Sequence, residues 1–356
     1  MKSKVVVATG PRQLEIRQLP VPDDIGDGAL LRVEGNGLCG SDADLYSGES
    51  EGIYFTYPLV PGHEIVGRID RISEAARRSW GVGEGDRVAV ENAVRCGRCL
   101  NCQRGLTNNC ASARHYGYGK LGVGKDLNGG LAEYLVLDPD SSVYPVAGDV
   151  SVEDAVLFNP LGNGLEWTLA AGRVEVGDVV VVFGAGQRGL CCVLAAREAG
   201  ASEIIMTGLA RDESKFELAR AFGATRTVNV EKESLRDVLE DNSVDVAVDV
   251  APMTPVTVTE AVDLLRPGGR LVIAATKVRP VPIPTDRVFM KALQIQGAVG
   301  GSPWSTRNAL RIIGSGRYPL SQLHSHTFPL EETERAIQVL ANEVPGESPL
   351  HLTIVP

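Results

Sequence analysis

The sequence lacks the features of a membrane-spanning or secreted protein. No apolar run approaches the roughly 18 residues that a membrane-spanning helix needs. The N-terminal stretch MKSKVVVATGPRQLEIRQLP alternates like a strand and has no basic flank, apolar run or small-residue cleavage site of a secretory signal. We therefore expect a cytoplasmic protein whose thiols stay reduced, so that clustered cysteines indicate metal ligands rather than disulfides.

Positive charge is also scarce. The chain has 35 Lys and Arg residues against 45 Asp and Glu residues, and its formal net charge is −10. Because polyphosphate binding needs a positive face, this charge argues against a general nucleic-acid binder. With 356 residues, 44% of them hydrophobic, the chain can bury the cores of two ordinary domains without covalent cross-links.

The two halves of the chain differ in pattern. The first half contains short strand-like runs between glycines and turns, such as KVVVAT, ALLRVEG and EIVGRID, which predict an irregular β barrel. From about Val176, six short apolar runs alternate with helical segments, which predicts a parallel sheet covered on both faces. We therefore predict one domain at 1–150 and 301–356 and a second at 151–300, with the cleft between them as the default site.

The first of the six runs ends in a glycine-rich turn, GAGQRG, and a helical segment follows it. In this context Gly184 permits the tight turn, Gly186 lets the backbone approach a pyrophosphate, and Gly189 packs the helix on the strand. Gln187 and Arg188 complete the turn, and the start of the helix offers free N–H groups to the phosphates. The turn therefore predicts binding of NAD or NADP.

The end of the next apolar run bears on the choice of cofactor. NAD-selective proteins usually place an acidic residue there to bind the ribose 2′-hydroxyl, but here the run continues into Gly208, Leu209, Ala210 and Arg211. Without the acid there is less repulsion of a 2′-phosphate, and Arg211 can pair with one, so the loop favours NADP. The alternative is that Arg211 only opens the next helix and the pocket accepts either cofactor.

A loop with the sequence CGRCLNCQRGLTNNC holds four of the seven cysteines, namely Cys96, Cys99, Cys102 and Cys110. Four closely spaced thiolates suit a closed tetrahedral zinc site that has a structural role. An iron–sulfur cluster is the alternative, but the usual continuation of such a motif to x3-C-P is absent. We therefore predict structural zinc.

A second candidate metal site lies upstream. Cys39 and Ser41 stand in the segment GLCGSDADLYSG, and His63 and Glu64 follow in PGHEIVG. A thiolate, an imidazole and a carboxylate suit a zinc ion that keeps one position open for a substrate. Taken singly, a lone cysteine is usually a core residue and a lone histidine a satisfied polar group.

The four motifs together, CGSD, GHE, the four-cysteine loop and GAGQRG, resemble the zinc-dependent medium-chain alcohol and polyol dehydrogenases, the branch of sorbitol, threonine and glucose dehydrogenases. The resemblance covers nearly the whole chain. It implies a chaperonin-10-like (GroES-like) catalytic domain, a doubly wound Rossmann domain with a six-stranded parallel sheet, and two zinc ions, one of them catalytic. It also implies an alcohol or carbonyl substrate and a homodimer or homotetramer, with the strand from Leu293 as a candidate for twofold pairing.

One departure from this family concerns the catalytic zinc. Asn159 stands where the polyol and threonine dehydrogenases have an acid before proline that contributes to the zinc site. An amide oxygen is neutral and binds zinc more weakly than a carboxylate does. Either Glu64 binds the metal directly and restores neutrality, which we favour, or the metal stays more electrophilic and is held less tightly.

A second departure concerns the proton path. Asp44 stands where related dehydrogenases often have a histidine that passes the alcohol proton onward from the serine. Ser41 can still take the first step, and Asp44 or solvent would complete the relay. The alternative for Asp44 is a solvated loop carboxylate. We expect Asp42 to fix His63 by a hydrogen bond.

The substrate is predicted less closely than the reaction. The resemblance favours a polyol, sugar or cyclitol, and a simple secondary alcohol is the alternative. The residues that can line the pocket are the segments 50–57 and 114–126, with His115, Tyr116 and Tyr118, and also Glu166 and Trp167. Two other classes stay open: a zinc-stabilised cofactor-binding protein without catalysis, suggested by Asn159 and Asp44, and a zinc protein that binds nucleic acid, suggested only by the cysteine loop.

Overall fold

The computed structural model describes residues 1–49, 51–52, 55–277 and 279–356. Its strands are β1 (Lys2–Gly10), β2 (Gln13–Pro20), β3 (Ala29–Leu38), β4 (Glu64–Ile72), β5 (Arg87–Val90), β6 (Ala93–Val94), β7 (Arg114–His115), β8 (Tyr134–Leu137), β9 (Val143–Pro145), β10 (Val179–Phe183), β11 (Glu203–Gly208), β12 (Arg226–Asn229), β13 (Val244–Asp249), β14 (Leu265–Ile273), β15 (Gln294–Gly297), β16 (His324–Pro329) and β17 (His351–Val355). Its α-helices are α1 (Gly40–Ser47), α2 (Glu74–Trp80), α3 (Leu100–Gln103), α4 (Val152–Ala155), α5 (Phe158–Leu165), α6 (Gln187–Ala199), α7 (Glu213–Phe222), α8 (Val256–Leu264), α9 (Thr285–Met290), α10 (Pro303–Ser315) and α11 (Thr333–Leu340). A π-helical stretch, Glu166–Ala171, continues α5.

The chain divides into two compact units. Unit 1 comprises Met1–Asn159, Leu310–Gly316 and Leu320–Pro356, and unit 2 comprises Pro160–Ala309 and Arg317–Pro319. The chain thus leaves unit 1 within α5 and returns to it within α10. None of the helices in the described residues is long and apolar enough to cross a membrane.

Unit 1 is built mainly from strands. Its larger sheet has the order β16-β17-β3-β4-β5-β9, and β8 also pairs with β3. The C-terminal strand β17 lies antiparallel to β3, with Leu352 opposite Leu38. Strand β3 is paired on both sides, and eight of its ten residues are buried. The predicted GroES-like, mostly β domain is confirmed.

Unit 2 contains a parallel sheet of six described strands with the order β12-β11-β10-β13-β14-β15. The strands run continuously apolar, as VVVVF in β10 does, because helices cover both faces. The strand order reverses between β10 and β13, and in doubly wound sheets ligands bind at the carboxyl ends of the strands at such a point. The predicted Rossmann domain with six parallel strands is confirmed.

The glycine-rich turn joins β10 to α6. Gly184 has a φ of +109°, a conformation that side chains other than glycine rarely adopt. Gly186 is the N-cap of α6, and the helix ends at Gly200, which is also left-handed with a φ of +82°. Cys191 and Cys192 lie fully buried within α6, as expected of core thiols.

Candidate functional site

Two neighbouring strands of unit 1 bring the candidate catalytic residues together. Cys39 follows the end of β3 and is the N-cap of α1, while His63 comes directly before β4. The strands are antiparallel, with Gly37 opposite Glu64. The end of β3 therefore lies beside the start of β4, and the two ligand candidates meet although 24 residues separate them.

The geometry of this cluster is compact. Cys39 Sγ lies 3.2 Å from His63 Nε2 and 2.9 Å from Ser41 Oγ. Ser41 Oγ lies 3.4 Å from His63 Nε2. Cys39 is fully buried, His63 is 5% exposed and Ser41 is half-buried. The three side chains therefore point to one place, at which Ser41 offers the more accessible hydroxyl.

Asp42 holds the two ligand candidates in position. One carboxylate oxygen, Oδ2, accepts a hydrogen bond of 2.9 Å from the backbone N–H of Cys39. The other, Oδ1, lies 3.4 Å from His63 Nδ1. This arrangement leaves Nε2 of the imidazole facing the Cys39 sulfur, as a carboxylate–histidine pair does at metal sites.

The charges around His63 favour a cation. Burial by itself lowers the pKa of His63, but electrostatic interactions with Tyr118, Asp42 and Cys39 raise that pKa well above its ordinary value. An imidazole whose pKa is raised by its neighbours stands in a place where a positive ion is stabilised. A zinc ion meets the same demand, because it binds the neutral imidazole and the thiolate together.

Glu64 lies beside this cluster but faces another partner. Its Oε2 lies 3.0 Å from Nε2 of His351 on β17, and both side chains are fully buried. Its Oε1 is also buried and has no hydrogen-bond partner among the described residues. Of the two groups of possible ligand atoms that lie within 4.8 Å of one another in the described residues, the one at this site consists of Cys39, Asp42 and His63, so Glu64 is outside it.

Tyr118 joins the cluster from the loop after β7. Its hydroxyl donates a hydrogen bond of 3.3 Å to Ser41 Oγ, and its ring centroid lies 5.5 Å from that of His63. Burial is the main reason that the pKa of Tyr118 is raised, so the phenol is a hydrogen-bond donor at neutral pH. Tyr118, one of the residues that the sequence suggested for the pocket, therefore contacts the cluster.

The other pocket candidates have different surroundings. Tyr116 is buried, and its hydroxyl lies 2.7 Å from Ser141 Oγ and accepts the backbone N–H of Asp138, which indicates a structural role. His115 is exposed. From the segment 50–57, Ser50, Ile53 and Tyr54 lie outside the described residues.

Glu166 and Trp167 are engaged within unit 2. Glu166 Oε2 accepts a hydrogen bond of 2.5 Å from Ser302 Oγ. Trp167 is almost fully buried, and its indole N–H donates to the carbonyl oxygen of Gly300 at 3.1 Å. These contacts indicate structural roles for Glu166 and Trp167, which the sequence had suggested as pocket residues.

The two positions that depart from the family pattern lie in helices. Asn159 is the second residue of α5 and is half-buried. Asp44 lies in α1 and is exposed, and its carbonyl oxygen accepts hydrogen bonds from Gly48 and Glu49 at the end of that helix. The roles of both side chains remain predictions.

The four-cysteine loop gathers its thiols as predicted for one metal ion. The Sγ atoms of Cys96, Cys99, Cys102 and Cys110 all lie within 4.8 Å of one another. Cys110 Sγ is 3.5 Å from Cys96 Sγ and 4.0 Å from Cys99 Sγ. A tetrahedral zinc with Zn–S bonds of about 2.3 Å places its sulfurs about 3.8 Å apart, so the donor set fits zinc.

Backbone N–H groups support thiolates in this loop. The N–H of Cys99 points to Cys96 Sγ, and the N–H of Cys96 points to Cys110 Sγ, both at 3.4 Å. Hydrogen bonding from the backbone at Cys102 and Ala111 lowers the pKa of Cys99 to about 6, whereas burial and the neighbouring thiols raise the pKa of Cys102. The cysteines are free thiols, so the loop is ready to bind a cation without breaking a disulfide.

The glycine-rich turn of unit 2 has the shape that a dinucleotide needs. A Cβ atom added to Gly189 would lie 1.9 Å from the carbonyl oxygen of Gly184, so the helix packs on the strand too closely for any other residue. A Cβ atom added to Gly186 would meet nothing within 4 Å, so the space above the turn is open. A close-packed floor beneath an open helix start fits the pyrophosphate of NAD or NADP.

Gln187 and Arg188 flank this turn. Gln187 is 9% exposed, and its Oε1 has no hydrogen-bond partner in the described part of the chain. The guanidinium of Arg188 stacks over the ring of Trp167, 5.6 Å from its centroid. Both side chains are thus held near the start of α6.

The loop after β11 lies against the turn. A Cβ atom added to Gly208 would come within 2.9 Å of the Ala185 side chain, which explains a glycine here. Arg211 is exposed in the short helical turn that follows. Asp212, next in sequence, is 9% exposed and forms an ion pair of 2.9 Å with Lys215.

The fold and these three sites match an alcohol dehydrogenase of the zinc-binding, medium-chain type. Two family models match the chain: the alcohol dehydrogenase GroES-like domain over residues 26–148 and the zinc-binding dehydrogenase domain over residues 189–315. The chain belongs to this family and is an NAD(P)-dependent alcohol dehydrogenase, which confirms the resemblance seen in the sequence.

Individual relatives show the same class. A protein of Mycobacterium tuberculosis named a probable alcohol dehydrogenase is 40% identical over 99% of this chain and 98% of its own length. An erythritol/L-threitol dehydrogenase of Mycolicibacterium smegmatis is 29% identical over 100% of this chain and 98% of its own. A zinc-binding dehydrogenase structure from Sinorhizobium meliloti, bound to NADP, has a TM-score of 0.87 at 25% identity and covers 100% of both chains.

Proposed function

We propose that this enzyme catalyses reversible hydride transfer between a secondary alcohol and NAD(P), with a catalytic zinc ion bound at Cys39 and His63. The observation that carries the proposal is the buried cluster in which Cys39 Sγ, His63 Nε2 and Ser41 Oγ lie within 3.4 Å of one another. A zinc ion bound there supplies a Lewis acid that lowers the pKa of a substrate hydroxyl. The nicotinamide cofactor supplies the hydride acceptor.

The residues of this chain have separate tasks in the reaction. Ser41 accepts the hydroxyl proton of the alcohol and passes it outward. Tyr118 orients Ser41, because its phenol donates to Ser41 Oγ at 3.3 Å. Asp42 keeps His63 in one tautomer through Nδ1 at 3.4 Å. Asp44 lies in α1, three residues after Ser41, and its side chain is exposed. Either Asp44 or solvent receives the proton.

Glu64 is our candidate for the third protein ligand. With only one thiolate and one neutral imidazole the ion would carry net positive charge, and a carboxylate neutralises it. The free Oε1 of Glu64, buried and without a partner in the described residues, supports this role, while Oε2 stays on His351. Asn159 is the alternative ligand.

Zinc stoichiometry tests this ligand. Glu64→Gln keeps the shape of the side chain and removes its charge, so we expect the zinc content to fall toward one ion per chain, with the ion of the four-cysteine loop retained. Asn159→Ala is the matched variant, and we expect it to keep both ions. Two ions per chain in Glu64→Gln and one in Asn159→Ala would reverse the assignment.

The loop of Cys96, Cys99, Cys102 and Cys110 is proposed to hold the second zinc, so that each chain contains two. Four thiolates complete the tetrahedral coordination of a zinc ion and leave no position for a substrate, so this ion has a structural role. The Sγ distances given above support the assignment.

The proposed substrate is a polyol, sugar or cyclitol. The erythritol/L-threitol dehydrogenase relative supports this class, and so does the set of hydroxyl and imidazole groups around Ser41 and Tyr118. Comparing kcat/KM for four-carbon to six-carbon polyols with that for simple secondary alcohols tests it. A preference for 2-propanol or 2-butanol would establish the alternative, a dehydrogenase for simple alcohols and ketones.

The proposed cofactor preference is for NADP. The loop after β11 carries Arg211 and no acid on the strand end at Gly208. A relative with this fold binds NADP. The ratio of kcat/KM with NADP to that with NAD tests the preference, and a clear advantage for NAD would contradict it.

The proposed assembly is a homodimer or homotetramer in the cytoplasm. The edge strand β15, Gln294–Gly297, pairs with β14 on one side only in the described sheet, so its outer edge is available to a second copy of the chain. Sedimentation equilibrium tests the assembly, and a monomer at micromolar concentration would contradict it.

A further inference from the structure

A carboxylate reaches the cofactor loop from a strand that the sequence motifs do not include. Glu231 stands two residues beyond β12, and its Oε2 accepts a hydrogen bond of 2.7 Å from the backbone N–H of Ala210. Ala210 lies two residues beyond the end of β11, where dinucleotide-binding folds meet the adenosine ribose. Glu231 therefore places a negative charge on the loop whose own sequence lacks the expected acid.

Main-chain contacts fix this carboxylate beside the glycine-rich turn. The N–H of Gly184 donates to the carbonyl oxygen of Thr207 at 3.2 Å, which joins the turn to the end of β11. The N–H of Val230 donates to the carbonyl oxygen of Gly208 at 3.0 Å, which joins the end of β12 to the end of β11. The three strand ends are thus linked in a row, and Glu231 is fixed to the same frame as the turn.

Side chains also hold the segment after β12 that contains Glu231. The N–H of Glu231 donates to Asn229 Oδ1 at 3.1 Å, and Asn229 Nδ2 donates to Glu213 Oε1 at 2.9 Å. Asn229 is 6% exposed, whereas Glu231 is exposed. The carboxylate is therefore held against Ala210 at its Oε2 while the side chain stays open to a ligand.

Charge decides what this arrangement does to the two cofactors. NADP carries a phosphate on the ribose 2′ position where NAD has a hydroxyl. A nearby carboxylate therefore repels the 2′-phosphate of NADP and can accept a hydrogen bond from the 2′-hydroxyl of NAD. Arg211, exposed on the same loop, has the opposite effect. Asp212 takes little part, because its carboxylate is engaged by Lys215 and by the N–H of Leu209.

We propose that Glu231 is a specificity-determining residue that limits the preference for NADP and keeps NAD as an accepted cofactor. This inference rests on the proposed binding of NAD(P) at the turn of unit 2 and adds the residue that sets the ratio between the two forms. In this arrangement Glu231 takes over the task of the missing acid on β11, and Arg211 opposes it.

Direct binding of each cofactor tests the inference without turnover. We would measure the dissociation constants of NADP and NAD by titration calorimetry for the wild type, Glu231→Gln and Glu233→Gln. The glutamine in Glu231→Gln keeps an oxygen for the Ala210 N–H. Glu233→Gln makes the same charge change two residues away, at a side chain 3.9 Å from Arg226. Repeating the titrations in 0.5 M salt shows whether the effect is electrostatic.

For Glu231→Gln we expect the affinity for NADP relative to NAD to rise about five- to tenfold at low salt, since one charge near the phosphate is removed. We expect less than a twofold change for Glu233→Gln and a smaller rise for Glu231→Gln in high salt. A wild type that binds cofactor, with the same ratio in Glu231→Gln and Glu233→Gln, would overturn the inference alone. A wild type that binds neither cofactor would overturn the proposed function, and the inference with it.

Discussion

Replacing either of two glycines of the cofactor turn by alanine is predicted to have different effects. Gly189→Ala should lower the stability of the fold, and Gly186→Ala should weaken cofactor binding. The Cβ atom in Gly189→Ala would lie 1.9 Å from the Gly184 carbonyl oxygen, where real Cβ atoms essentially never come within 3.0 Å of a neighbour. The carbonyl oxygen is a backbone atom and the Cβ atom is fixed rigidly to the backbone, so α6 must move away from β10 by about 1 Å or more to restore an ordinary contact. The Cβ atom in Gly186→Ala meets nothing within 4 Å, and no atom has to move.

The magnitudes follow from this difference. Overpacking of a rigid site costs about 1–3 kcal/mol, so we expect Gly189→Ala to lower the melting temperature of the metal-loaded, cofactor-free protein by about 3–10 °C. Gly186→Ala should leave the melting temperature within about 2 °C. It should nevertheless weaken cofactor binding at least about tenfold, because its methyl group occupies the space into which the pyrophosphate descends.

Thermal unfolding and cofactor titration of both variants form the assay. The melting temperature is read without cofactor, and the dissociation constant is read well below it, so that the two effects are separated. Unchanged cofactor affinity in Gly186→Ala would refute the assignment of the turn as the pyrophosphate site. A Gly189→Ala variant as stable as the wild type would refute the close packing on which the turn depends.

Two further predictions concern the metal loop and a buried ion pair. Cys99→Ser is expected to lose the zinc of the four-cysteine loop and keep the other, so one ion per chain should remain by elemental analysis; two would contradict the assignment. Lys277→Met leaves Asp249, which is fully buried at 2.7 Å from the ammonium, without its charge partner, and the free energy of unfolding in urea should fall by about 3–5 kcal/mol. The exposed pair of Arg226 and Glu233 is the control, and Arg226→Met should cost less than about 1 kcal/mol. A loss below about 1 kcal/mol in Lys277→Met would show that the buried pair contributes little.

The parts of the site that could be predicted from sequence are those that short motifs encode. The glycine turn and the four-cysteine loop each have a spacing tied to one chemical task, and the family resemblance indicated the pair of Cys39 and His63. The structure brings each set together. The alternation of apolar runs and helices likewise predicted the parallel sheet, because a strand buried on both faces has no polar side to show.

Contacts between distant segments could not be predicted in this way. His351 contacts Glu64, 287 residues away in sequence, because β17 joins the sheet beside β3. The segment HLTIVP has the pattern of a strand, but no local pattern in it specifies β3 as the partner. Glu231 reaches Ala210 across 21 residues through the order of parallel strands. Tyr118 lay in a segment already suspected, but only the fold shows which of its aromatic side chains faces Ser41.

The most direct test of zinc-dependent hydride transfer at Cys39 and His63 combines metal content with turnover on one preparation. Zinc per chain is measured on freshly purified protein, and absorbance at 340 nm is followed with polyols, sugars and simple secondary alcohols in the presence of NADP or NAD. We expect two zinc ions per chain and an alcohol-dependent rise at 340 nm. This rise should be lost when a chelator removes the ion at Cys39 and His63, and it should return when zinc is added back. One zinc ion per chain with no alcohol-dependent signal would contradict it, because the cluster of Cys39, Ser41 and His63 would then hold no metal and catalyse no hydride transfer.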